Sequence, residues 1–258
     1  MPPSKSSSQK KKEIEDDPSV IVASAKTIGL KCGNPQCYTR AIDVTLKACA
    51  RCKSIRYCSR DCQSAHWKTH KVWCNYYIQL AEELAKADAE GGDYGLPPGL
   101  TLLELDQTLE KWVKLYNNLL TAATIHALSL PKDIKRARSY LLRVKISYRP
   151  DNNGVLAKTF RVDDAVLIDM DAGRALGGVW PESISQIQKM REESESLKRG
   201  TVAAVALECE PLAMQLVPFG SLRDLSPLTI QQRWKEILIK NVENGTKFTR
   251  FEMDDTSS

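Results

Sequence analysis

Between Cys32 and Cys74 the chain places seven of its eight cysteines and two of its three histidines. They fall in the order Cys32-x4-Cys37, Cys49-x2-Cys52, Cys58-x3-Cys62 and His70-x3-Cys74. Pairs this close have metal-ligand spacing, because one short loop or helical turn brings both donors to a single ion. Seven thiolates and one imidazole make eight donors. Structural zinc takes four, so the stretch predicts two Zn²⁺ ions in filled sites, with no position left for water or substrate. A disulfide framework fits poorly. The number of cysteines in the stretch is odd, and residues 1–18 hold no apolar run of the kind that heads a secreted chain.

Basic charge surrounds these ligands. Residues 20–75 carry ten Lys and Arg against Asp43 and Asp61. Seven thiolates outweigh two Zn²⁺ by three negative charges, so part of the excess offsets the metal clusters locally. Nucleic acid is therefore not the expected partner, despite the net charge of +5. There is no apolar window of about 18 residues, and no membrane span is expected.

Composition divides the chain. Residues 1–19 read as a disordered tail, in which Lys10-Lys11-Lys12 stand beside Glu13, Glu15, Asp16 and Asp17 as a solvated segment rather than a nuclear address. Residues 20–90 hold the cysteine module and a trailing helix, with a short strand or lead-in at Val20-Ile21-Val22. Ser59 to Cys74 reads as two short helices, the first capped by Ser59, and Asn75 to Ala89 continues as helix. Residues 91–99, rich in Gly and Pro, are a linker. Thr101 and Glu104 form a capping-box pattern for a helix running to about Ser129, roughly 40 Å long. Leu102, Leu105, Leu109, Trp112, Tyr116, Leu119 and Ala123 form its apolar stripe.

Downstream, Tyr140–Tyr148 alternates as a half-buried strand, and 155–162 and 165–168 follow as two more. Ile184, Ile187, Met190 and Leu197 mark a helix ended by Gly200. Residues 201–209 and 212–219 form a second hairpin. Ser226-Pro227 caps a last helix ended by Gly245, and 251–258 is a polar tail. This order predicts an α+β domain over 100–250.

The string Arg56-Tyr57-Cys58-Ser59-Arg60-Asp61-Cys62-Gln63, with Trp67, His70 and Cys74, resembles the MYND zinc finger. All eight ligand positions of that family are matched. One departure is Cys32-x4-Cys37, where the family usually has two intervening residues. The resemblance implies a small two-zinc, cross-braced finger. Cys32, Cys37, Cys58 and Cys62 would hold one ion, and Cys49, Cys52, His70 and Cys74 the other. Spacing alone allows sequential pairing equally. The resemblance also implies a protein partner, with Gln63 and Trp67 bordering a groove for a proline-containing peptide; Trp67 as plain finger core is the competing reading. His66 is surplus to the ligand count and reads as a surface or second-layer residue.

No enzyme is expected. The lysine methyltransferases that carry this finger have SET sequence ahead of it, whereas here 31 mostly polar residues precede Cys32. His126 reads as a partly buried helical residue, Cys209 as an inert core thiol, and Trp112 and Trp234 as packing. Asp163-Asp164 and Asp169-x-Asp171 suit strand-end turns better than a cation site, and Gly177-Gly178 lacks a phosphate-loop setting. The alternative is an active site within 100–250 that the finger targets. An intracellular location, nuclear or cytoplasmic, is expected, because residues 1–18 hold no secretory apolar run.

Overall fold

The computed structural model describes residues 32–37, 39, 44–246 and 248. The expected tails at 1–19 and 251–258 and the strand at Val20–Val22 lie outside the described residues. Two short antiparallel strands come first, β1 (Lys47–Ala48) and β2 (Arg56–Tyr57). Then α1 (Arg60–Glu90) runs as one helix of 31 residues. Ser59 caps it, its hydroxyl accepting the Cys62 N–H at 3.1 Å. Gly91, at φ 72, ends it in the left-handed conformation open to a residue without Cβ. The two short helices expected between Ser59 and Cys74 are thus corrected to the first half of a single helix. No Gly or Pro occurs from 60 to 90, so nothing interrupts its propagation.

α2 (Leu102–Ala127) starts at the capping box. The Thr101 hydroxyl accepts the Glu104 N–H and the Glu104 carboxylate accepts the Thr101 N–H, each at 3.1 Å. Asp88, near the end of α1, completes the cap by accepting from the Leu102 N–H at 2.7 Å and the Leu103 N–H at 3.2 Å. The first three amides of α2, which a helix leaves without internal partners, are all satisfied. A carboxylate also faces the positive end of the helix dipole. Joined this way, α1 carries the cysteine module onto the rest of the fold.

Past a 3₁₀ turn at Ile134–Arg138 come β3 (Tyr140–Tyr148), β4 (Phe160–Asp169), α3 (Met170–Ala175), α4 (Trp180–Ser196), β5 (Thr201–Glu208), β6 (Gln215–Leu222) and α5 (Trp234–Asn244). The strands form one mixed sheet in the order β4-β3-β5-β6. β3 pairs antiparallel with β4 and parallel with β5, and β5 pairs antiparallel with β6. α2 and α5 pack on one face over Val144, Phe160 and Val205. α3 and α4 pack on the other over Leu141, Ala204 and Leu216. Because both faces are covered, β5 is buried from Thr201 to Leu207 and reads as an unbroken apolar run. Among the described residues no helix is long and apolar enough to cross a membrane.

Three further expectations are corrected. The strands at 155–162 and 165–168 are one strand, β4, preceded by a 3₁₀ turn at Leu156–Lys158. Lys145 pairs with Asp164 but Ile146 pairs with Val162, so Asp163 is an extra residue at a bulge. A bulge shifts the inside–outside alternation by one, which in sequence looks like a break. The last helix begins at Trp234, not after Ser226. Asp224 accepts both the N–H and the hydroxyl of Ser226, closing a turn there instead. On α4 the inward face is Trp180, Ile184, Ile187 and Arg191, while Met190 and Leu197 are exposed.

Candidate metal centre

The β1–β2 hairpin delivers Cys49 just after its first strand and Cys58 just after its second. Cys49 N–H donates to Ile55 O at 2.7 Å, and Lys53 at φ 59 turns the chain back after Cys52. The knuckle between Cys32 and Cys37 closes through Cys37 N–H to Asn34 O at 2.9 Å, with Gln36 N–H on the Asn34 side-chain oxygen at 3.1 Å. Gly33 lies flat against the second strand. A Cβ there would stand 2.3 Å from the Ile55 Cγ2 and 3.3 Å from Arg56 O. α1 supplies the remaining donors. Cys62 lies one turn inside the Ser59 cap, with His70 and Cys74 on successive turns of the same helix.

These elements gather the donors into two sets: Cys32, Cys37, Cys58 and Cys62, and Cys49, Cys52, His70 and Cys74. Within each set the ligand atoms all lie within 4.8 Å of one another. In the first, Cys37 Sγ is 3.6 Å from Cys58 Sγ, and Cys58 Sγ is 3.5 Å from Cys62 Sγ. In the second, Cys49 Sγ is 3.9 Å from Cys74 Sγ, and Cys52 Sγ is 3.7 Å from His70 Nε2. A zinc tetrahedron with bonds of about 2.3 Å has edges of about 3.8 Å, so these separations fit zinc. They are far outside the ~2.05 Å of a disulfide. The finger therefore has two cross-braced zinc sites, each built from two separated parts of the chain. Of the two pairings that spacing left open, the geometry selects the interleaved one.

The donors suit the ion chemically. Burial first, and His66 second, push the His70 imidazole down to about 4, so it is neutral at pH 7 with a lone pair to give. Burial pushes the Cys32 and Cys74 thiols up to about 12, so zinc must displace their protons. The Thr39 hydroxyl, 3.2 Å from Cys37 Sγ, holds that thiol down at about 6. When bound, zinc supplies folding energy to a module whose core is small: Leu46, Tyr57 and the ligands themselves.

His66 is not a ligand. Its Nδ1 is 3.0 Å from the Tyr57 hydroxyl, and its ring stacks on His70 at 5.8 Å between centroids. Trp67 is half-buried, edge-on to His70 at 5.9 Å, and packs against the finger core. Gln63, four residues before it, is also half-buried and donates its Nε2–H to Cys49 Sγ at 3.7 Å. Sequence reasoning missed this contact, and nothing in the spacing could have shown it, since Cys49 and Gln63 meet only once the hairpin has folded over α1. Asn34 lies in the Gly33–Gln36 turn expected to lengthen the first knuckle, and its side chain holds the Gln36 N–H.

The other singled-out residues are dispersed. Asp163 accepts from the Ser147 hydroxyl and Arg161, and Asp164 pairs with Lys235 at 2.7 Å. Asp169 caps α3, accepting from the Asp171 and Ala172 amides. Cys209 is buried, and burial pushes its thiol up to about 12. Trp112 is fully buried, and Trp234 packs at the edge of the same core.

A family model described as MYND finger matches residues 31–74. The stretch is 43% identical over 44 residues to the MYND-type zinc finger protein samB of Emericella nidulans, covering 17% of this chain and 7% of that protein. It is 49% identical over 39 residues to SET domain-containing protein 14 of Caenorhabditis elegans, covering 15% of this chain and 9% of the relative. With ubiquitin carboxyl-terminal hydrolase 19 of Arabidopsis thaliana it shares 58% over 31 residues, covering 12% and 5%. Each match spans less than a tenth of the relative's length. No solved structure matches the chain. The likeness is confined to the finger.

Proposed function

Since residues 31–74 are a MYND finger, a module of protein–protein interaction, we propose that the chain is a non-enzymatic adaptor that recruits a partner protein through that finger. The α+β part over 100–250 supplies a second surface, and the protein works inside the cell, in nucleus or cytoplasm. The partner offers a proline-containing peptide to the side of α1 that carries Gln63 and Trp67. The observation that carries this reading is the division of labour on that helix. His70 and Cys74 are buried and spent on zinc, while Gln63 and Trp67, one turn apart, stay half-open. An indole face packs well on a proline ring, and a carboxamide whose N–H is held by Cys49 keeps its oxygen for a peptide N–H. All eight donors come from the protein, which suits structural zinc.

The test is selection from a displayed peptide library by the zinc-loaded full chain, beside Trp67→Ala and Gln63→Ala. Enrichment of proline-containing peptides by wild type, lost in Trp67→Ala at unchanged zinc content, is the expected result. No enrichment by wild type, or equal enrichment by the variant, would leave the finger a structural brace and sink the reading.

A further inference from the structure

At the far end of α4 the chain builds a shallow, open cleft of about 440 Å³ whose lining includes Ile134, Arg138, Glu195, Lys198, Leu222 and Arg223. Its charge is lopsided. Glu195 is fully engaged: one oxygen accepts from Arg138 at 2.7 Å and the other from the Thr201 hydroxyl at 2.8 Å. Behind it, one turn earlier on α4, Arg191 is 4% exposed and donates Nε–H to Val202 O at 2.9 Å, and its Nη2 has no partner among the described residues. Arg223 reaches only backbone, Lys198 O at 3.3 Å and Arg199 O at 3.5 Å. Neither Lys198 nor Arg223 meets a carboxylate among the described residues. Three cations, Arg138, Lys198 and Arg223, thus line the cleft beside one acid that is already paired.

The turn that carries Lys198 is closed by backbone and side-chain hydrogen bonds. Lys198 sits at φ 54, Arg199 N–H donates to Ser194 O at 2.8 Å, and the Ser194 hydroxyl donates to Gly200 O at 2.7 Å. Gly200, at φ 98, presses on the end of β6 so closely that a Cβ would stand 2.3 Å from Leu222 O. The same turn touches the finger, because Arg199 Nη1 donates to Pro35 O at 3.3 Å. Pro35 belongs to the four-residue loop of the first knuckle, two residues longer than the usual family spacing.

We propose that this cleft binds an acidic segment of the partner protein, its carboxylates on Lys198 and Arg223 and its apolar side chains on Ile134 and Leu222. The proposal rests on the recruiting role argued above and adds a second, charge-selective contact beside the finger. Mixed cationic and aliphatic lining favours a polypeptide. A nucleic-acid strand would call for aromatic rings on which bases stack, and the lining offers none. Positive charge in excess at this cleft is electrostatically complementary to an acidic segment.

The experiment is fluorescence anisotropy of the zinc-loaded full chain with a labelled, proline-free peptide of alternating Glu and Leu. Lys198→Asn removes one charge at a left-handed position that asparagine tolerates, and Arg223→Gln removes the other. The expected result is binding by wild type, a loss of about tenfold or more in the double variant at unchanged melting temperature, and unchanged binding by Trp67→Ala, with zinc content equal throughout. Equal binding by wild type and double variant, or none by wild type, overturns the proposal. So does tighter, Lys198- and Arg223-dependent binding of a single-stranded DNA oligomer. Because the probe lacks proline and Trp67→Ala is included, failure of the cleft and failure of the finger groove are read separately.

Discussion

His126 lies on α2, 8% exposed, with its Nδ1 accepting the Gln231 N–H at 3.2 Å. Burial holds its imidazole below the ordinary value. A group depressed in the folded state is protonated more readily when unfolded. Its contribution to stability is therefore complete above the unfolded value of about 6.5 and is lost as the pH falls through the folded value. Thermal melts of zinc-loaded protein should drop from pH 7 toward pH 5. In His126→Asn, whose amide oxygen can replace the Nδ1 acceptor, the drop should be shallower; identical profiles would remove His126 from the account. Burial shifts His66 the same way, so part of any residual slope belongs to the finger. Trp112 poses a different question. It is fully buried against Tyr116 at 4.9 Å and Phe160 at 5.6 Å, yet its indole N–H has no partner among the described residues. Trp112→Ala should lower stability by about 3–5 kcal/mol. Trp112→Phe should lower it by less than about 2 kcal/mol, because it also removes a buried donor left unsatisfied. Urea denaturation of both variants decides.

Among the elements, the junction of α1 and α2 depends most on one side chain. Asp88→Ala leaves the Leu102 and Leu103 amides unpartnered and should cost about 1 kcal/mol. Hydrogen exchange at those two amides should speed up, while the amide of Glu104, held by Thr101, stays protected; unchanged exchange at Leu102 and Leu103 would rule out the clamp. This contact also shows where sequence reading stops. Thr101–Glu104 and Ser59–Cys62 span three residues, so both caps are legible as local patterns. Asp88 and Leu102 are separated by the Gly- and Pro-rich turn, and only the folded chain makes Asp88 a cap. The zinc ligands were legible because paired cysteines at two to four residues have few other uses. Their pairing was not, since Cys37 meets Cys58 and Cys49 meets Cys74 across long loops. β4 was misread for a subtler reason. One surplus residue at Asp163 inverts the alternation on which strand reading relies.

At the scale of the whole molecule, finger and sheet body meet at Asp88 and again where Arg199 reaches Pro35. They draw on different sources of stability, metal ligation in one and apolar burial in the other. Zinc removal should separate them. With a strong chelator present, the seven finger thiols should react promptly with a disulfide reagent, while Cys209, buried with its thiol pushed up to about 12, stays silent until the body unfolds. Simultaneous reaction of all eight would show one cooperative unit instead.

The parallel pairing of β3 with β5 carries a consequence for the birth of the protein. The central pair of the sheet cannot close until everything from Arg149 to Gly200 has been made, because β5 follows that whole stretch. The eight zinc donors are complete by Cys74, before any strand of the sheet leaves the ribosome. Translation thus presents the metal-dependent part first and the slow, long-range part last. A cell short of zinc meets this chain's demand while the chain is still being synthesised, and the body then folds beside a finger that has or has not been loaded.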